Sequence, residues 1–221
     1  AYEGKQYYLP LGYAWTAVYY NRALFDQYGL QPPQSWEEFM AICDTLLVNG
    51  ETPLSVAGND TWLTMLWFDY LDLRLNGAAF HRALLQGQLP YNDSRVLTVV
   101  EMWSQLLRNG YFIERPESAN DLTSLMALVR DDNGVLGGQK AVMTLVSPFW
   151  MTDLPDKFHS ELDFFRFPTL DPTLPTAEVV TTLGYMAPSN GAHRSETLAY
   201  LAYRNVWADR KPKKKRKAAA L

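Results

Sequence analysis

The chain has 221 residues, 48% of them apolar and 14% aromatic, with 24 acidic side chains against 20 basic ones. That length allows one large domain or two small ones around a real hydrophobic core, and the apolar share excludes a disordered tail. No run approaches the roughly 20 apolar residues that a bilayer-crossing helix needs. The net charge of −4 hides an asymmetry, because RKPKKKRK at 210–217 carries seven positive charges and leaves the remainder strongly acidic. An acidic body repels phosphate backbones, so nucleic acid is not expected as a partner.

YAWTAVYY at 13–20 is aromatic and β-branched and predicts a strand. Asn21 then opens a short helix that Gly29 ends. Ser35 and Glu38 form a capping box for a helix to about Val48, with Phe39, Ile42, Leu46 and Leu47 inward. Cys43 sits on that helix among apolar neighbours; as the single cysteine it excludes an internal disulfide and reads as a small core hydrophobe. PLSVA at 53–57 predicts a buried strand, and GND at 58–60 leads into an aromatic helix over 61–75, stopped at Asn76-Gly77. A second helix is expected over 78–86. Asp93 or Ser94 caps the next, over 95–108, with Val96, Val99, Val100, Trp103, Leu106 and Leu107 inward. Residues 120–131 predict another helix. The pattern then changes to strands at 140–146, 163–167 and 183–188, and a helix from Ser195 to Val206. Strands separated by helices argue for an α/β architecture.

Several chemistries leave no trace. There is no phosphate-binding G-x-x-x-x-G-K-[ST] loop. His81, His159 and His193 are scattered without metal-ligand spacing, and Ser147 and Ser189 lack a nucleophile-elbow pattern. No catalytic residue, metal or cofactor is therefore expected. KPKKKRK resembles a nuclear import signal and AAAL the join left by expression vectors; the tail, 208–221, is expected to be disordered by self-repulsion.

Three stretches carry a family likeness, in family order: residues 13–58, residues 67–112 (WFDYLDLRLNGAAFHRALLQG…NGYF), and residues 137–191 (GGQKAVMTLVSPFW…LGYMAPSNG). Together they resemble the carbohydrate-specific solute-binding proteins of ABC importers. The resemblance implies a periplasmic-binding-protein-like (type II) two-lobe α/β fold, with sugar held in the cleft between the lobes. Family members carry further N-terminal and C-terminal segments, so the fold is expected to be incomplete. The expected division is 1–135 as a largely helical second lobe with a hinge strand, 136–175 as strands of the first lobe, and 176–207 as the return crossing and helix of the second lobe. The implied partners are a mono- or oligosaccharide and the membrane permease of an ABC importer, with the protein a monomer in the periplasm or outside the cell. Membrane association would run through the transporter or through a lipid anchor outside this sequence.

Eight residues are candidates for the sugar. Tyr13 and Trp15 share one face of a strand by alternation, as a stacking surface or as core. Asp60 precedes the aromatic helix, either accepting sugar hydroxyls or capping the helix, and Trp62 would add an indole face beside it. Trp67 and Phe68 point about 100° apart, so at most one faces a cleft. Asp69 either receives a hydroxyl or pairs with Arg74 or a lysine. Trp150 follows Ser147-Pro148-Phe149 where the family turns its backbone toward ligand, although SPFW is bulkier than the usual glycine-containing turn. Relatives often have an acidic residue where Leu183 stands, and Glu178 is a further polar contact. Two other functions remain open. A glycoside hydrolase would draw a carboxyl pair from Asp60, Asp69 and Glu178, and a truncated lobe would act as a protein-interaction module.

Overall fold

The computed structural model describes residues 7–131, 134–135 and 138–210. The expected strand at 13–20 forms as two: β1 (Leu9–Trp15) and β2 (Ala17–Asn21), broken at Thr16. The amide of Thr16 leaves the strand pattern and donates to the Val179 carbonyl at 3.2 Å. Asn21 caps α1 (Arg22–Gln27) by accepting from the Leu24 amide. α2 (Trp36–Val48) begins with the complete capping box read from the sequence, Ser35 and Glu38 each bonding the other's backbone. Two backbone amides at 34 and 35 hold the Glu38 carboxyl below its ordinary range.

After β3 (Leu54–Ser55) comes α3 (Thr61–Leu85), which does not stop at Asn76-Gly77 but bends there and continues. Gly77 lies at φ 79°, ψ 165°, a region open essentially to glycine alone. α4 (Ser94–Arg108) packs along α3 and is capped by Asp93. It buries Val96, Val99 and Leu106, whereas Val100 and Leu107, expected inward, are exposed. α5 (Asp121–Met126) is shorter than expected, and the short strands β4 (Arg130–Asp131) and β5 (Gly134–Val135) follow it. β6 (Met143–Val146), β7 (Leu162–Phe165), β8 (Val180–Tyr185) and α6 (Arg194–Arg210) complete the chain. The basic run lies outside the described residues from 211 onward.

The chain divides into two compact units, residues 14–181 and residues 1–13 with 182–221. The larger unit is built on a four-stranded sheet of order β3-β6-β2-β7, with β2 antiparallel to both neighbours and β3 parallel to β6. Every residue of β2 and β6 is buried, the mark of strands covered on both faces. The segments at 143–146 and 162–165, expected among the strands of the first lobe, pair with β2 on either side. Backbone groups buried at the centre of a sheet need neighbours on both sides, and β6 and β7 supply them to β2.

The core is aromatic. Trp67, Tyr70, Phe39 and Phe167 are almost wholly buried and meet edge-on, tilted or stacked at 5.0–6.5 Å, each worth about 1.5–3 kcal/mol in burial. Cys43 is buried with them, its thiol pushed up by burial. A small polar network crosses this core: Ser55 Oγ lies 3.0 Å from Ser124 Oγ, which lies 3.0 Å from Thr144 Oγ1. In the smaller unit, 9–13 and 182–185 pair as strands and α6 follows. Tyr8, Leu9, Tyr185, Arg194 and Leu198 line a cavity there of about 310 Å³.

Candidate functional site

α3 and its N-cap carry Asp60, Trp62, Trp67 and Asp69, and the two kinds of surface on the helix separate them. Trp67 is on the buried side, 0% exposed and packed against Phe39, Phe112 and Phe167. It is a core residue and offers no face to a ligand; its neighbour Phe68 is buried too. Aromatic residues spaced along a helix look alike in sequence whether they face core or solvent, and only the packing partners distinguish them.

The outward side begins with Asp60 and Trp62. Asp60 occupies the N-cap position, but its side chain makes no capping hydrogen bond. Its carbonyl accepts from the amide and hydroxyl of Thr64 instead. The half-buried carboxylate is thus left without the structural task that the sequence offered as the alternative. The turn is held from behind, with Gly58 donating to Pro116 O at 2.9 Å and Asn59 to Ala119 O at 3.0 Å. A Cβ on Gly58 would sit 2.5 Å from the Pro116 oxygen, so glycine is required for that close approach. Trp62, in the first turn, is 42% exposed.

Asp69 and Glu178 come together as walls of one cavity of about 460 Å³, with Leu73, His81, Leu85 and Val179. All of its lining lies in the larger unit. Arg74, expected as a partner of Asp69, pairs with Glu178 Oε1 instead, at 3.0 Å. The same guanidinium donates to the carbonyls of Phe167 and Ala177 and lies over the Tyr70 ring, which fastens the segment carrying Glu178 onto α3. The second carboxylate oxygen, Oε2, is buried away from solvent, with the Tyr70 hydroxyl beside the same carboxylate.

His81, which the sequence left scattered, belongs to this wall. It follows the bend at Gly77 and reaches back to the first arm of α3. Nδ1 lies 2.7 Å from Asp72 Oδ2, and Nε2 lies 3.8 Å from Asp69 Oδ1. Asp72 is fully buried and also accepts from Asn76 at 2.7 Å. Burial pushes the Asp69 carboxyl above its ordinary range; the nearby imidazole opposes that rise and the Asp72 charge adds to it. Spacing along the sequence hid this cluster, because contacts nine and twelve residues apart arise only once the helix bends.

The remaining candidates are placed as follows. Trp15 is half-buried at the edge of the larger unit's core, edge-on to Phe164 at 5.5 Å. Tyr13 is 77% exposed and belongs to the smaller unit. Trp150 lies on a 3₁₀ turn, Pro148–Asp153, its side chain outside the described residues. Among the described residues, no group of three or more His, Cys, Asp or Glu side chains is arranged to hold a metal ion.

Comparison with known proteins follows the same outline. The chain is 29% identical over 102 residues to the osmoprotective compounds-binding protein GgtB of Synechocystis sp., covering 44% of this chain and 24% of that protein. It is 34% identical over 58 residues to the multiple sugar-binding protein of Streptococcus mutans, covering 26% and 14%. The solved bacterial solute receptor AcbH, described as having an exclusive preference for β-D-galactopyranose, superposes with a TM-score of 0.72 at 27% identity, over 92% of this chain and 49% of that one. The chain therefore spans about half the length of this solved relative and a quarter or less of those two curated ones. The α/β, periplasmic-binding-protein-like fold expected from the sequence is the fold of these receptors. The profile of the bacterial extracellular solute-binding proteins matches residues 1–203, and the chain belongs to that family.

Proposed function

We propose that this chain takes part in binding a saccharide outside the cytoplasm and handing it to the permease of an ABC importer, as a monomeric receptor and not an enzyme. The observation that carries the reading is the pair at the start of α3. An exposed indole, Trp62, stands two residues from a carboxylate, Asp60, that caps nothing. A sugar presents C–H faces that stack on a ring and hydroxyls that seek acceptors, which is the combination this pair offers. The names of the relatives support it, since one is a multiple sugar-binding protein and another a receptor for β-D-galactopyranose. Trp15 and Trp150 are proposed as further aromatic contacts.

Isothermal titration against galactose, glucose and their di- to tetrasaccharides tests the proposal. At least one saccharide should bind, and Trp62→Ala should weaken it about tenfold, the scale of a lost aromatic contact. A folded protein that gives no heat with any saccharide overturns the reading. One observation favours a second reading, a glycoside hydrolase: Asp69 and Glu178 share a cavity, and Asp69 has a raised pKa. Such an enzyme needs one carboxylate free to act as base or nucleophile, whereas Glu178 is committed to Arg74. Release of reducing ends from an oligosaccharide would establish the hydrolase and exclude the receptor.

A further inference from the structure

Among the described residues, Arg115 is the one non-glycine residue with a positive φ, at φ 50°, ψ 57°. The left-handed region costs free energy for a side chain with a β-carbon and is taken mostly by glycine, asparagine and aspartate. Nothing local asks for it here. Pro116 follows, and a proline steers the residue before it toward extended backbone. The conformation of Arg115 is therefore imposed by what holds the chain on either side.

Both sides are tied to the segment that leads into α3. Ahead of Arg115, Tyr111 O accepts from the Leu54 amide at 2.8 Å and the Ile113 amide donates to Leu54 O at 3.0 Å, with Tyr111 and Ile113 buried. Behind it, the 3₁₀ turn Pro116–Ser118 brings two carbonyls round to the Asp60 turn: Pro116 O takes the Gly58 amide and Ala119 O the Asn59 amide. Ser118 closes the corner, its amide at 3.0 Å and its hydroxyl at 2.8 Å both donating to Arg115 O. Residues 111–119 thus form a strap along 54–59, and an extended residue 115 would carry Pro116 away from Gly58. The strap fixes the peptides just before Asp60, while the Arg115 side chain itself is exposed.

We propose that Arg115 is a positioning residue for the Asp60–Trp62 pair, acting through its backbone: the left-handed corner seats the strap, and the strap fixes in advance the turn from which Asp60 meets a ligand. The proposal rests on the saccharide reading above and assigns how that site is pre-organised. A β-carbon at position 115 confines the corner to a few conformations, whereas glycine adopts the same one without strain and many others besides. Order established in the free protein is order that the ligand does not have to impose.

The test pairs titration of the full chain, against galactose, glucose and their di- to tetrasaccharides, with thermal melts of wild type, Arg115→Gly and Arg115→Asn. Arg115→Gly should melt no lower than wild type, since relief of the left-handed strain offsets the freedom that glycine adds to the unfolded chain. It should nevertheless bind about fivefold more weakly, the scale of ordering one backbone residue on binding. Arg115→Asn, which tolerates the left-handed region, should bind within about twofold of wild type. Unchanged affinity in Arg115→Gly overturns the proposal. So does an equal loss in Arg115→Asn, which would assign the effect to the guanidinium. Affinity and melting temperature falling together in Arg115→Gly would make Arg115 a structural residue only and likewise overturn it. Hydrogen exchange keeps this proposal apart from the saccharide reading. In Arg115→Gly the Gly58 and Asn59 amides should exchange faster while those of β2 and β6 do not change; equal exchange overturns the strap whether or not a saccharide binds. Faster exchange there, with no heat from any saccharide and wild type, overturns the saccharide reading alone.

Discussion

Asp69 carries a cost in the folded state. Its carboxyl is raised by burial, so between the ordinary carboxylate pKa and its own it stays protonated in the fold and ionises on unfolding. The native state then holds more protons than the unfolded one, and stability falls as pH rises through that window. Asp69→Asn removes the term. The variant should therefore gain on wild type in thermal melts as pH rises from about 4 toward neutrality. A variant that lost stability at neutral pH would show Asp69 to be a structural ion-pair partner of His81. Trp67 is the opposite case, a candidate ligand residue that proves to be core. Trp67→Ala should cost about 3–5 kcal/mol in urea unfolding by opening a void among Phe39, Phe112 and Phe167.

At the scale of elements, α3 serves two purposes through one bend. Its first arm presents Trp62 and Met65 outward and Trp67 and Tyr70 inward, and the second arm returns His81 to the first. The bend depends on Gly77, where an added Cβ would find ordinary contact with Leu174 at 3.5 Å. The whole penalty of Gly77→Ala is thus backbone strain, about 1–3 kcal/mol, readable as a lower urea midpoint. Gly58→Ala differs in kind, because its Cβ collides with backbone. The 115–119 segment must move, and with it the turn that carries Asp60. That variant should weaken every saccharide alike, mono- and oligosaccharide, in the same titrations.

For the whole molecule, family membership places the chain among the bacterial extracellular solute-binding proteins, and among the described residues no helix is long and apolar enough to cross a membrane. The ligand proposed is uncharged, so the net charge of −4 should not enter its affinity. Saccharide titrations at 50 and 500 mM salt should agree within about twofold, since screening acts only between charges. A steep fall with salt would instead mark an ionic partner and exclude a neutral sugar.

The sequence by itself determined several of the elements and the family. Capping boxes, glycine stops and alternating apolar residues are local signals, and they located β2, α2, α4 and the buried Cys43 because short-range backbone chemistry sets them. It also brought Asp60 and Trp62 forward, since neighbours in sequence at a helix start stay neighbours in the fold. Only the tertiary structure decided which strands share the sheet, that Trp67 faces inward, that Arg74 takes Glu178 and not Asp69, and that His81 joins Asp69 and Asp72. Each of these rests on residues brought together from a distance along the chain, or on which side of a helix meets the core. Periodicity constrains a face, but what lies against that face is chosen by the packing of the whole unit.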